Sequence, residues 1–159
     1  MRVGLRSTAM IDFTNYKEGE YAAFSDDAPL SFQMNGTMYA CSTVAILQAT
    51  ALKMANITIY TDVIQINQVM LKFVEDFGAN ASPRFWSRWD EQLSLLSKCR
   101  EKMIPIETSL VYKVICAKIA AHEHLRYLLI ATVEKELIGA QQKTAECLQS
   151  IRSMLLPKG

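Results

Sequence analysis

Two aspartates in this 159-residue chain sit where a fold could use them for metal chemistry, Asp12 and Asp62. Asp62 ends the β-prone run Ile57-Thr58-Ile59-Tyr60-Thr61. Helix-patterned segments flank it, Ser42 to Ala55 before and Ile64 to Phe77 after. A strand that delivers a carboxylate at its C-terminal edge, between helices, is a common way to offer an oxygen ligand to a divalent cation. Asp12 lies in the β-prone run Ala9 to Tyr16, and the following Phe13-Thr14-Asn15 equally suits a turn carboxylate. At a strand-to-helix junction Asp62 also suits an N-cap, worth about 1 kcal/mol.

The segment Arg84-Phe85-Trp86-Ser87-Arg88-Trp89 brings cations and aromatics together, with Lys98, Arg100 and Lys102 downstream. Arg84 and Arg88 could position phosphates, and Trp86 and Trp89 could stack on bases for about 1–3 kcal/mol each. Trp and Arg are equally the favoured anchors of protein interfaces. His122 and His124, two apart on an expected helix, diverge and cannot share a metal as an i, i+4 pair could. The chain has no Gly-rich phosphate loop, zinc motif or Ser/His/Asp order.

The elements that must carry these residues follow from periodicity. Ala9 to Tyr16, Glu20 to Ser25 and Leu30 to Met34 are β-prone runs joined by turn-forming Lys17-Glu18-Gly19 and Asp26-Asp27-Ala28-Pro29, which predicts an antiparallel meander. A helix is expected from Tyr39 to Ala55, a fourth strand over Ile57 to Tyr60, and a second helix with Ile66, Val69, Met70, Phe73, Val74 and Phe77 on one face, ended by Gly78. A third helix spans Asp90 to Arg100, and Met103 to Thr108 is expected to be a fifth strand at a sheet edge because of Pro105. Leu110 to Leu129 and the remainder to Leu156 are patterned as helix. Ile130, Val133, Leu137, Ala140, Thr144, Cys147, Ile151 and Met154 recur every three or four residues, a heptad-like seam.

The order β-β-β-α-β-α-α-β-α with an extra C-terminal helix resembles the ribonuclease H fold. The resemblance is carried by Cys41 to Val69, with Ala45-Ile46-Leu47-Gln48-Ala49-Thr50-Ala51-Leu52, Ile57-Thr58-Ile59-Tyr60-Thr61-Asp62 and Ile66-Asn67-Gln68-Val69, and by the tryptophan-bearing stretch Arg84 to Leu96. It implies an α/β fold with a mixed five-stranded sheet flanked by helices, residues 1–124, and a C-terminal helical extension, 125–159, docked or partner-binding. It also implies four carboxylates holding two divalent cations for phosphodiester cleavage. Asp12 and Asp62 match two of them. The other two positions fall near Cys41 and Ala117, which are not acids; Glu107 or Glu146 could substitute.

Composition narrows the partners. With 50 % hydrophobic residues the chain can bury roughly two-thirds of its unfolded surface as one domain. Seventeen basic against sixteen acidic side chains give a net charge of +1, which does not favour nonspecific nucleic-acid binding. No run approaches the roughly 20 apolar residues that span a bilayer. Cys41, Cys99, Cys116 and Cys147 lack zinc spacing and local pairing, so buried reduced thiols in an intracellular compartment, cytoplasmic or nuclear, are expected. In that setting the Asn-x-Ser/Thr triplets at Asn35, Asn56 and Asn80 carry no glycan.

With only Asp12 and Asp62 as remnant catalytic residues, the expectation is a catalytically inactive ribonuclease H-like interaction module. It would scaffold a protein complex, which could be a ribonucleoprotein. Its contacts would run through Arg84, Trp86, Arg88 and Trp89 and through Val133, Leu137, Cys147, Ile151 and Met154, to another protein chain or to a second copy of the C-terminal helix. RNA is a further partner and a membrane is not. The alternatives are a divergent nuclease on RNA or an RNA–DNA hybrid, the one case requiring Mg²⁺, and a noncatalytic nucleic-acid binder.

Overall fold

The computed structural model describes residues 10–39, 41–57, 89–101, 103, 105–133 and 135–156. Strand β1 (Met10–Asp12) is followed by a 3-10 turn (Ala22–Phe24) and a hairpin, β2 (Phe32–Met34) and β3 (Thr37–Tyr39). Then come helix α1 (Ser42–Ile57), α2 (Trp89–Glu101), α3 (Thr108–Ala121), α4 (Glu123–Ala131), β4 (Glu136–Ile138) and α5 (Gln142–Leu155). The described strands form two sheets of two strands each. β2 and β3 pair antiparallel around Asn35-Gly36, both at positive φ (53° and 82°), the conformation a tight hairpin turn demands. β1 instead pairs in parallel with β4, Ile11 opposite Leu137, so segments far apart in sequence meet.

This corrects the expected fold: the described residues form no five-stranded ribonuclease H sheet. Ile57, expected in a strand, ends helix α1, and the rest of the Asp62 strand lies outside the described residues, as does the helix from Ile64 to Phe77. Glu20 to Ser25 is not a strand. Gly19, at φ 107°, starts a tight turn in which the Ala22 N–H donates to the Gly19 carbonyl, and 3-10 bonds continue from there. Among its described residues the expected fifth strand is not formed either: Pro105–Glu107 has no strand pairing, with Glu107 extended, and Thr108 already belongs to α3. The long C-terminal helix is broken twice. At His122 the backbone leaves helical geometry and the ring Nε2 donates to the Ser31 carbonyl (2.6 Å); at Thr132-Val133 a turn leads into β4.

Helix α1 is the spine of the core. From Ser42 to Ala51 every side chain except Ala49 is buried, so it is a helix covered on all sides and not an amphipathic one. Ile46 and Leu47 join Phe32 from the hairpin, Val114 from α3 and Leu125 and Leu129 from α4 in one apolar cluster. Helix α5 presents Ala145, Cys147, Leu148 and Ile151 to that cluster, and β4 adds Leu137. Residues 125–156 therefore complete the core that the preceding segments begin. At the β1–β4 junction the Phe13 ring crosses Gly139 so closely that only a residue without Cβ fits.

Candidate functional site

The structure concentrates its polar chemistry around Asp26, in the loop after the 3-10 turn. Three helices fix that loop. From the start of α1, the Thr43 N–H donates to the Asp26 carbonyl (3.0 Å) and the Thr43 hydroxyl to Asp27 Oδ1. From α3, Lys118 Nζ donates to the Ser25 carbonyl (2.9 Å). From α5, Thr144 Oγ1 donates to Asp26 Oδ2 (2.6 Å). Asp26 is only 6 % exposed and Lys118 3 %. The other carboxylate oxygen, Asp26 Oδ1, is buried and has no hydrogen-bond partner. A buried acceptor left in that state costs about 1–3 kcal/mol, more when it is charged.

Electrostatics separate these groups. Burial pushes the Asp26 carboxyl up, opposed by the Thr144 hydrogen bond and by the charges of Lys118 and Arg100, while Asp27 reinforces the rise. Burial also lowers Lys118 to about 8, against the pull of Asp26, Cys41 and Asp27. Lys118 thus remains largely protonated at neutral pH, and its charge favours the ionised form of Asp26 against the effect of burial. Arg100 is lowered by the same loss of solvation, opposed by the two aspartates. Cys41, fully enclosed, is pushed up to about 12, chiefly by burial, and is an inert thiol.

Two hollows adjoin Asp26, and Arg100, Gln141 and Thr144 line both. The larger is a cleft of about 530 Å³ with an apolar wall of Ile46, Met103, Pro105, Ile106 and Val111 and a polar rim of Gln142, Lys143 and Glu146 from the first turns of α5. The smaller, about 30 Å³, reaches Phe13, Ser25 and Asp27 and has room for one water. Between them Arg100 Nη1 donates to Gln141 Oε1 at a loose 3.4 Å. A concave, mainly apolar site of this size with a few convergent polar groups is the usual form of a small-molecule pocket.

The residues singled out from the sequence lie elsewhere. Asp12, the last residue of β1, carries an exposed carboxylate that accepts from the Thr14 N–H (2.9 Å); its hydrogen bonds with Thr14, side chain first, hold it below the usual range. Asp62, Arg84, Trp86 and Arg88 lie outside the described residues, and Trp89 opens α2. Leu137, Cys147 and Ile151 are buried in this chain's own core, so they present no surface to a partner; Val133 and Met154, at 53 % and 71 % exposure, do. Glu107 pairs with Lys53 at the surface, whereas Glu146 lines the cleft. Cys41, Cys116 and Cys147 are free thiols. Among the described residues no cluster of three or more His, Cys, Asp and Glu is placed to hold a metal ion, and no helix is long and apolar enough to cross a membrane.

Sequence reasoning took Asp26-Asp27-Ala28-Pro29 for a plain turn and gave Lys118 no role. One signal was present: Val111, Val114, Ile115 and Lys118 share a helical face, which sets a lysine inside an apolar stripe.

No family model matches the sequence, and no curated protein matches it. Among solved structures, the fold is similar to that of the Escherichia coli protein YbiA, determined by NMR, with a TM-score of 0.50 and 16 % identity over 92 % of this chain and 84 % of that one. The likeness covers nearly the whole chain and replaces the ribonuclease H resemblance; at this identity it is a statement about fold alone.

Proposed function

We propose that this chain is a noncatalytic binding module whose working surface is the cleft beside Asp26, and that its ligand is a small uncharged or anionic molecule with an apolar body. The observation that carries the reading is the buried, unpartnered Asp26 Oδ1 next to the cleft. A ligand N–H or O–H would satisfy that oxygen, reaching it by displacing the loose Arg100–Gln141 contact, and a ligand acceptor would take the freed Arg100. The charges of Lys118 and Arg100 already offset Asp26, and Lys143 stands in the lining against Glu146, so the described lining of the cleft has no uncompensated carboxylate to draw a cationic ligand. The apolar wall would hold a flat ring. The neighbouring nucleophiles are poorly placed to react: Cys41 is a buried thiol and Lys118 is engaged by a carbonyl.

Benzamide, benzoate and benzylamine, one apolar ring with a neutral, an anionic and a cationic head, test the reading. In ¹H–¹⁵N NMR titrations benzamide, which has a donor for Asp26 Oδ1, should give saturable shifts at Arg100, Gln141 and Thr144; benzoate, which has only acceptors for Arg100, should give weaker ones. Both should be absent in the Ile106→Trp variant, which fills the cleft from its apolar wall. Equal shifts from benzylamine, or no saturable shift from any of the three, would defeat it.

Docking of a protein partner is a second reading, favoured by the exposure of Val133 and Met154. It predicts a concentration-dependent mass in sedimentation, or a captured partner, that Met154→Glu abolishes; a monomer indifferent to that change would remove it. An RNA-binding role would rest on Arg84, Trp86 and Arg88, outside the described residues.

A further inference from the structure

We propose that Lys118 is the positioning residue of the cleft, tying the Asp26 loop to α3 and supplying the positive charge against which Asp26 keeps an ionised oxygen available to a ligand. The inference rests on the binding reading above and deepens it.

Lys118 occupies a core position on α3, one turn beyond Val114 and Ile115, where an apolar side chain would be the ordinary choice. Its ammonium has three donors, and the Ser25 carbonyl takes one at 2.9 Å. That bond anchors the residue immediately before Asp26, while Thr43 and Thr144 hold Asp26 itself. The loop is thus tied to three helices by hydrogen bonds, and only the one from α3 has a cationic donor. The charged and titratable groups facing Lys118 are Asp26 and Asp27 from the loop and Cys41 before α1; those facing Asp26 are Lys118 from α3, Arg100 from α2, Asp27 and, from α5, the Cys147 thiol, which burial and neighbouring carboxylates push up. Thr144 is the partner from α5 and does not titrate. A buried carboxylate with a free oxygen persists only if a nearby cation offsets its lost hydration. Arg100 is the other candidate, but it lines both hollows and would be recruited by a ligand. Lys118 lines neither, so its charge remains in place whether or not the cleft is filled.

The test needs no ligand. The Asp26 side-chain carboxyl carbon is followed by ¹³C NMR against pH in the wild type, Lys118→Met and Lys118→Arg. The Asp26 midpoint should move upward in Lys118→Met and return toward the wild-type value in Lys118→Arg. A folded Lys118→Met with an unmoved midpoint would overturn the inference, since a lysine acting only as packing leaves that midpoint alone. If Lys118→Met does not fold, the wild type still decides. The Asp26 carbon should show a second inflection where the Lys118 amine, followed by ¹⁵N, loses its proton, and an Asp26 signal flat through that range refutes the coupling. Benzamide shifts in the wild type report on the cleft separately, so the two readings can fail independently.

Discussion

Replacing Gly139 with alanine would put a Cβ 2.2 Å from Phe13 Cε2 and 2.5 Å from Cζ. Carbon atoms in favourable contact lie about 3.5–4.0 Å apart, so the ring would have to retreat by more than ~1 Å. It has little room to do so. Phe13 is 2 % exposed, its edge meets the Phe24 ring at a centroid distance of 5.9 Å, and its N–H is bonded to the Ile138 carbonyl at 2.8 Å. Overpacking of this kind costs about 1–3 kcal/mol, which in a domain of this size lowers Tm by roughly 2–12 °C. Thermal unfolding followed by circular dichroism measures the loss. The same experiment on Phe13→Leu and on the double variant supplies the control. If the two residues meet as described, the smaller ring substitute absorbs part of the clash, and the double variant is more stable than additivity predicts by about 1 kcal/mol. Additive effects, or an unchanged Tm in Gly139→Ala, would mean that β1 does not run beside β4, and the architecture built on that pairing would fall with it.

Thr144→Val leaves both Asp26 oxygens without a hydroxyl partner and should lower stability to urea at pH 7 by about 1–3 kcal/mol; the loss should shrink as Asp26 gains its proton on acidification, and a pH-independent loss contradicts the assignment. Because Lys118 is lowered from 10.5 to about 8, the unfolded chain holds a proton between those values that the folded one has released, so this group's contribution to stability rises with pH across that window, by about 3 kcal/mol in all. Urea unfolding of the wild type and Lys118→Met from pH 7 to 10.5 should show their difference growing in the wild type's favour; a constant difference counts against it. Val133, a β-branched residue at φ 53°, is strained and exposed, so Val133→Asn should raise Tm by about 2–4 °C. A lower Tm would show that the turn needs the valine.

What the sequence made legible was local. The helix from Asp90 to Arg100 stands within a residue of α2, and the one entering at Leu110 begins within two residues of α3, because each carries three turns of consistent periodicity. The latter, expected to run to Leu129, is broken at His122. The heptad-like seam misled for a definable reason. A three-residue strand buries one apolar side chain, here Leu137, and a single position cannot reveal whether its neighbours follow period two or period 3.6. Cys147 and Ile151 then fit the helical frame of α5 correctly but face this chain's own core. The parallel partnership of β1 and β4 joins residues more than a hundred positions apart, for which local pattern holds no information. The same is true of the site. Asp26 lies in a stretch that looks like any acidic turn, and what makes it unusual is a threonine 118 residues further on and a lysine inside an apolar stripe.

With so little sheet among the described residues, their order must come from elsewhere. Two pairs of three-residue strands supply few ladder bonds, so helix packing around α1 carries the apolar burial, and buried polar ties set how the loops sit between helices. Such ties are costly to form and specific once satisfied. Arg152 shows the structural use of one: 8 % exposed, it donates to Thr132 Oγ1 (2.9 Å) and to the Lys135 carbonyl (2.6 Å), spanning the turn that feeds β4. The Asp26 cluster is built in the same manner from Thr43, Lys118 and Thr144, with one difference. The Arg152 tie is enclosed by its own chain, whereas the Asp26 cluster borders a 530 Å³ cleft and keeps one carboxylate oxygen without a partner. Both ties hold a loop in place; the second also leaves an acceptor unsatisfied beside a space large enough for a small molecule, and that combination is what the proposed binding role rests on.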